Sequence, residues 1–183
     1  DNPTTFGNII GPAHYYKVRR AMHDAQINAK KLIPQITKEW SKLSGYFHGD
    51  LLEYYKCDGA EHILLSLGAI GAESKIAINE LQKAGQKIGL ARVRVIRPFP
   101  TEDIIKLGKQ ADLIVIDRNI SVGLEGVLFN EVKAALYGES DAKATGFIAG
   151  LGGKDVTYKD IETMCIKSMK GKAKEQEWYG MEE

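Results

Sequence analysis

Cysteine is scarce in this chain: Cys57 and Cys165 stand alone and far apart in 183 residues. Two isolated thiols exclude a cysteine-ligated cluster or zinc site built by this chain alone, and each reads as a reduced thiol packed as a small apolar group. Net charge is nearly absent too, at a formal +1, so nothing in the balance draws the chain toward nucleic acid or an anionic membrane. No apolar run approaches the roughly 20 residues that a bilayer demands, and no signal peptide opens the sequence, which predicts a soluble, cytoplasmic protein. The first residue is Asp1 rather than methionine, as in a fragment or processed product of something longer. The length suits one domain with an ordinary core, with room for an appendage.

What is present is organised around residues 112–132. Leu113 to Ile116 is a short unbroken apolar run with branched side chains, as suits a strand covered on both faces. It stops at Asp117-Arg118-Asn119, and apolar residues return at Leu124, Val127, Leu128, Val132, Ala135 and Leu136, the spacing of one buried helical face. In open α/β sheets ligands and partners meet the chain beyond the carboxyl ends of the strands, where Asp117, Arg118 and Asn119 fall. The plainer alternative is that these three only close a loop by hydrogen bonding.

Residues 1–13 carry Pro3, Gly7, Gly11 and Pro12 without periodicity and read as a connecting arm whose Phe6, Ile9 and Ile10 lie across a surface. A long helix over 14–44 follows, with a stripe at Val18, Met22, Ala25, Ala29, Leu32 and Ile36, and Pro34 predicts a kink or break in it. Its lysines and arginines read as a solvated face, given Asp24, Glu39 and the neutral total.

An edge strand is predicted over 51–55, a buried strand over 62–67, and a helix bearing Ala77, Ile78 and Leu81 that ends at Gly85. The turn Gly68-x-x-Gly71 between strand and helix could hold a phosphate, but it lacks the full dinucleotide spacing, and Arg97 stands where an NAD site wants an acid. In Ile88–Ile96, Arg92 and Arg94 alternate with valines, which predicts a polar face or a pairing with acids from elsewhere, at the edge of a covering layer or on an intersubunit surface. Thr101 is placed to cap a short helix ending near Gly108. A last strand over 145–153 runs into glycines, Thr157 and Asp160 form a capping box for a final helix, and 171–183 reads as a charged tail whose Trp178 and Tyr179 dock on something. The sum is an α/β domain over 45–170: three layers, a mostly parallel sheet with helices on both faces, preceded by a long N-terminal helix.

Read together, 94–100 (Arg-Val-Ile-Arg-Pro-Phe-Pro), 116–123 (Ile-Asp-Arg-Asn-Ile-Ser-Val-Gly) and 146–153 (Gly-Phe-Ile-Ala-Gly-Leu-Gly-Gly) resemble the C-terminal region of the alpha subunit of pyruvate:ferredoxin oxidoreductase, or pyruvate synthase. Thr5-Phe-Gly7 and Gly11-Pro12, ahead of a long helix, resemble that family's link between its first two domains. The resemblance implies a transketolase C-terminal-like domain with no catalytic residue, cofactor contact or metal ligand of its own. The complex is then expected to use thiamine diphosphate, Mg2+ and 4Fe–4S clusters held elsewhere, to pass electrons to ferredoxin and to acetylate coenzyme A. The domain's expected role is support and assembly, with other subunits or domains as partners. Arg97, Asp117, Arg118 and Asn119 are the candidates for a domain junction, on the expectation that they end adjacent strands. The alternatives are another 2-oxoacid as substrate, or a free-standing nucleotide-binding module.

Overall fold

The structure is a computed structural model and describes residues 3, 4, 7 and 9–181. Phe6, expected on a surface, lies outside those residues, while Ile9 and Ile10 are exposed. Helix α1 (Pro12–Ser44) starts with proline, whose missing N–H costs nothing in the first turn, and stops at Gly45 in the left-handed conformation. It passes through Pro34, so the expected disruption there is not a break.

The α/β body follows as β1 (Leu52–Tyr55), β2 (His62–Leu67), α2 (Gly68–Lys83), β3 (Ile88–Val93), α3 (Thr101–Gly108), β4 (Asp112–Asp117), α4 (Val127–Leu136), β5 (Ala144–Ile148), α5 (Tyr158–Met169) and β6 (Gln176–Trp178). One six-stranded sheet has the order β1-β3-β2-β4-β5-β6, parallel except for β1 against β3. Three layers result because odd and even strand positions serve different helices. Ile63, Leu65, Leu113 and Val115 pack with α3 and α4; Leu64, Ile114, Ile116 and Phe147 pack with α2 and α5.

The chain moves from β2 outward to β3, then returns through α3 to β4 on the other side of β2. That reversal opens a crevice at the carboxyl ends of β2 and β4, the usual place for recognition in such sheets.

Several expectations change. Strand β3 stops at Val93 and is covered on its outer side by β1, so it is not an edge. Leu124 is exposed and precedes α4 rather than belonging to its buried face. Pro100, not Thr101, is the N-cap of α3, and it makes no side-chain cap. The strand before the glycines ends at Ile148, and the expected tail supplies β6, parallel to β5. The capping box of α5 forms as expected: Thr157 Oγ1 accepts the Asp160 N–H and Asp160 accepts the Thr157 N–H.

Candidate functional site

Asp117 is the last residue of β4 and only 2% exposed. Its two carboxylate oxygens accept the N–H groups of Leu128 and Phe129, each at 2.9 Å. Asn119 Oδ1 accepts the N–H of Val127 at 3.1 Å. Helix α4 thus begins at Gly126 without a side-chain cap of its own and takes its caps from the end of β4. Burial pushes the Asp117 carboxyl above the ordinary carboxylate range, with the two amide donors opposing.

Arg118 turns the other way. Its Nε donates to the Gly150 carbonyl at 2.9 Å and its guanidinium reaches Lys154 O at 3.4 Å, tying the β4 loop to the glycine turn after β5. It lines a crevice of about 360 Å³ with Ala69, Ile70 and Glu73 of α2 and Asp155. Arg97 lies beyond β3, pairs with Glu131 of α4 and donates to Ile96 O at 2.7 Å. It faces a wider, largely apolar cleft of about 750 Å³ between α1 and the body, with Met22, Ile27, Phe99 and the Lys30–Glu102 ion pair.

The four candidates therefore do not form one cluster, and the expectation that they end adjacent strands fails. Strand β2 separates β3 from β4, and Arg97 stands four residues past the end of β3. Asp117 and Asn119 are internal caps, Arg118 joins two loops at the crevice, and Arg97 belongs to the α1 side.

The sequence missed Glu53. This single acid on β1 pairs with Lys75 and lies 3.4 Å from Arg92 and 3.9 Å from Arg94, so it supplies the counter-charge the two arginines were expected to need. The only signal was an acid inside Leu52-Glu-Tyr-Tyr55. Burial pushes the Glu53 carboxyl up, but the Lys75 hydrogen bond and the three cations outweigh it and leave it below the ordinary range. The same arginine explains Gly71: a Cβ there would lie 2.6 Å from Arg92 Cγ and Cδ. Gly71 is thus explained by helix-on-sheet packing, whereas a Cβ at Gly68, where the turn begins, would meet nothing within 4 Å.

Among the described residues no group of three or more His, Cys, Asp or Glu side chains is placed to hold a metal ion. Cys57 packs with the α3–α4 layer and Cys165 with the α2–α5 layer, on opposite faces of the sheet. Burial pushes the Cys165 thiol up to about 12. The pair cannot share an iron–sulfur cluster, and a thiol so disposed stays protonated. Among the described residues no helix is long and apolar enough to cross a membrane.

Residues 60–161, more than half the chain, match the family described as pyruvate:ferredoxin oxidoreductase core domain II. Ketoisovalerate oxidoreductase subunit VorA of Pyrococcus abyssi is 34% identical over 98% of this chain and 47% of its own length. Pyruvate synthase subunit PorA of Methanothermobacter thermautotrophicus is 34% identical over 100% of this chain, again 47% of its own. The chain thus spans about half the length of the curated relatives it matches. Among solved structures, 2-oxoglutarate:ferredoxin oxidoreductase from Magnetococcus marinus, with 2-oxoglutarate, coenzyme A and succinyl-CoA bound, superposes with a TM-score of 0.55 at 18% identity, covering 88% of this chain and 24% of that one. An inactive β4 tetramer of a split-gene transketolase gives 0.52 at 15% identity, over 61% of this chain and 39% of that one. By the extent of the family match and the identity of relatives along nearly its whole length, this chain belongs to the pyruvate:ferredoxin oxidoreductase core domain II family.

Proposed function

We propose that this chain is the non-catalytic support domain of the alpha subunit of a thiamine-diphosphate-dependent 2-oxoacid:ferredoxin oxidoreductase, with pyruvate as the first-choice substrate. The complex converts the oxoacid and coenzyme A to the acyl-CoA and carbon dioxide and reduces ferredoxin. Thiamine diphosphate with Mg2+ supplies the decarboxylation chemistry, and 4Fe–4S clusters carry single electrons onward. The residues described above do not fit the clusters or the metal: the two thiols lie on opposite faces of the sheet, and no three His, Cys, Asp or Glu side chains among the described residues are placed to hold an ion. Those groups belong on other domains or subunits in this reading, and no step of the reaction is assigned to a residue here.

The observation that carries the proposal is that the polar groups at the carboxyl edge are spent inside the domain. Asp117 and Asn119 hold the start of α4, Arg118 fastens the glycine turn, and Arg97 is paired with Glu131. Such an edge is rigid and pre-shaped, as suits a surface that orients neighbours. Arg97 and Arg118 are the junction contacts, with Asp117 and Asn119 fixing the loop behind them.

Relatives named for pyruvate and for ketoisovalerate stand at the same 34% identity, so the oxoacid is decided by turnover. The test is to isolate the assembly containing this chain from its own cytoplasm and assay ferredoxin reduction with a panel of 2-oxoacids and coenzyme A. A brown, thiamine-containing assembly that turns over pyruvate fastest supports the proposal; preference for a branched oxoacid moves only the substrate. A colourless monomer that binds a nucleotide would overturn it.

A further inference from the structure

Helix α1 has two faces in use, and only one meets this domain. Ala29, Lys30, Ile33, Pro34, Thr37 and Ser41 are half-buried, at the spacing of one helical face, and Lys30 pairs with Glu102 of α3. None of the 33 residues is fully buried. The stripe read from the sequence is divided between this face and another: Ala29 lies on the half-buried face and Met22 lines the cleft against the body, whereas Val18, Leu32 and Ile36, continued by Trp40 and Leu43, are exposed, Trp40 at 59% and Leu43 at 83%. Just past the Gly45 cap, Tyr46 and Phe47 add two more exposed rings.

This stripe runs for about 38 Å at 1.5 Å per residue and carries no charged side chain at any of its positions, although Lys, Arg, Asp and Glu are common on the rest of the helix. An apolar patch of that length is far larger than the scattered exposed residues of an ordinary surface. Depletion of charge with Trp, Tyr, Phe and Met enriched is the composition of an interface core, and Trp40 with its neighbours has the make-up of an anchor cluster.

We propose that this stripe is the seat of the other half of the same subunit. The inference rests on the reading of this chain as one domain of an oxidoreductase alpha subunit, and it names what α1 binds. In the pyruvate synthase and ketoisovalerate oxidoreductase relatives, the stretch matching this chain, α1 included, makes up 47% of a single polypeptide. Chain of comparable length is therefore joined covalently to the matching stretch in those proteins. A helix bound on one face to its own domain, with a second uncharged face along its length, acts as a wedge between two permanently joined bodies. The occupant presents a long uncharged apolar face, of packed helices or a sheet, with a pocket opposite Trp40. A partner that came and went would need charged residues around the stripe to stay soluble when apart.

Hydroxyl-radical footprinting read by peptide mass spectrometry tests this on the native protein. Trp40, Tyr46 and Phe47 report the exposed face, and Tyr137, 90% exposed at the C-terminal end of α4, is the internal control. Oxidation of Trp40, Tyr46 and Phe47 is expected to fall several-fold between the 183-residue chain and the isolated alpha subunit, with Tyr137 unchanged. Protection that appears only when other subunits are added assigns the stripe to them and overturns the proposal. Protection that grows with concentration of the 183-residue chain alone assigns it to a second copy and does the same, as does equal oxidation in every state. In the isolated alpha subunit, Trp40→Glu should raise Tyr46 and Phe47 oxidation to the level of the 183-residue chain, while the circular dichroism of the 183-residue chain stays unchanged. Ferredoxin reduction by the wild-type complex is scored separately, so a failure of the family reading is distinguishable from a failure of this one.

Discussion

Gly126 lies directly on the carboxylate of Asp117: a Cβ built at Gly126 would sit 2.6 Å from Asp117 Cγ, and closer still to Oδ2. The helix can start where it does only because residue 126 has no side chain and residue 117 fills the space with two acceptors. Asp117→Ala leaves the N–H groups of Leu128 and Phe129 buried without partners, at about 1–3 kcal/mol each. Gly126→Ala displaces the same carboxylate and should cost about 1–3 kcal/mol. Because both act through one contact, the double variant is expected to be less destabilised than the sum, as chemical denaturation would show. Additive losses would mean that Gly126 matters for another reason.

A second pair turns on Gly71 and Arg92. Gly71 is helical, so alanine by propensity should stabilise α2 by about 0.5–1 kcal/mol. The arginine stem occupies the place of the methyl group, and moving it loosens the Glu53 cluster. Gly71→Ala is therefore expected to destabilise the wild type yet stabilise Arg92→Ala. The reversal of sign in thermal melts is the check; the same sign in both backgrounds would remove Arg92 from the explanation.

These contacts show what the sequence could reveal. Strands β2 and β4 were legible because Ile63–Leu65 and Leu113–Ile116 are apolar runs, and the α5 cap because Thr157 and Asp160 stand three residues apart. The caps of α4 were hidden, since Asp117 acts across a loop on residues 128 and 129. Strand β6 was hidden because Gln176-Glu-Trp178 is too short for periodicity and its partner is the distant β5. The stripe on α1 showed as a pattern, but a pattern gives only that a face is apolar and not what covers it. At the site, the residue types at the strand ends were visible, whereas their mutual placement depended on β2 lying between β3 and β4.

Acid titration should expose Glu53. Its carboxyl lies below the ordinary range in the folded chain, so the unfolded chain takes up that proton first as pH falls. Its contribution is full above the ordinary glutamate value and is lost as pH drops through the folded value. Glu53→Gln should lower stability at neutral pH by about 1–2 kcal/mol, having left three cations without their acid. The difference from wild type should shrink toward acid pH. Asp117 works with the opposite sign, since its raised carboxyl makes stability fall as pH climbs from the ordinary aspartate value through the folded one.

Thiol chemistry separates the two cysteines. Cys165 is wholly buried, and Cys57 is half-buried with its thiol against Leu90 O at 3.2 Å. Burial raises both thiols, Cys165 up to about 12. In native protein at mildly alkaline pH, iodoacetamide should modify Cys57 slowly and leave Cys165 untouched, and both should react in urea. Rapid labelling of Cys165 in the native state would show that the α2–α5 layer opens.

The final strand should be needed for the fold rather than appended to it. Gly146 N–H donates to Glu175 O at 2.7 Å and Tyr179 N–H to Ile148 O at 2.9 Å, so the segment closes the exposed side of β5. Tyr179 packs against the α2–α5 core and its hydroxyl donates to Asp160 Oδ1 at 3.0 Å. Lys133 and Lys167 pair with Glu175 and Glu177 on either side. Truncation after Lys174 removes all of these and leaves β5 an open apolar edge, so the chain should lose several kcal/mol and self-associate as its concentration rises. Tyr179→Phe removes only the hydroxyl bond and should cost about 1 kcal/mol without self-association. If truncation left the melting temperature unchanged, β6 would be dispensable, and the sheet would be held by the first five strands alone.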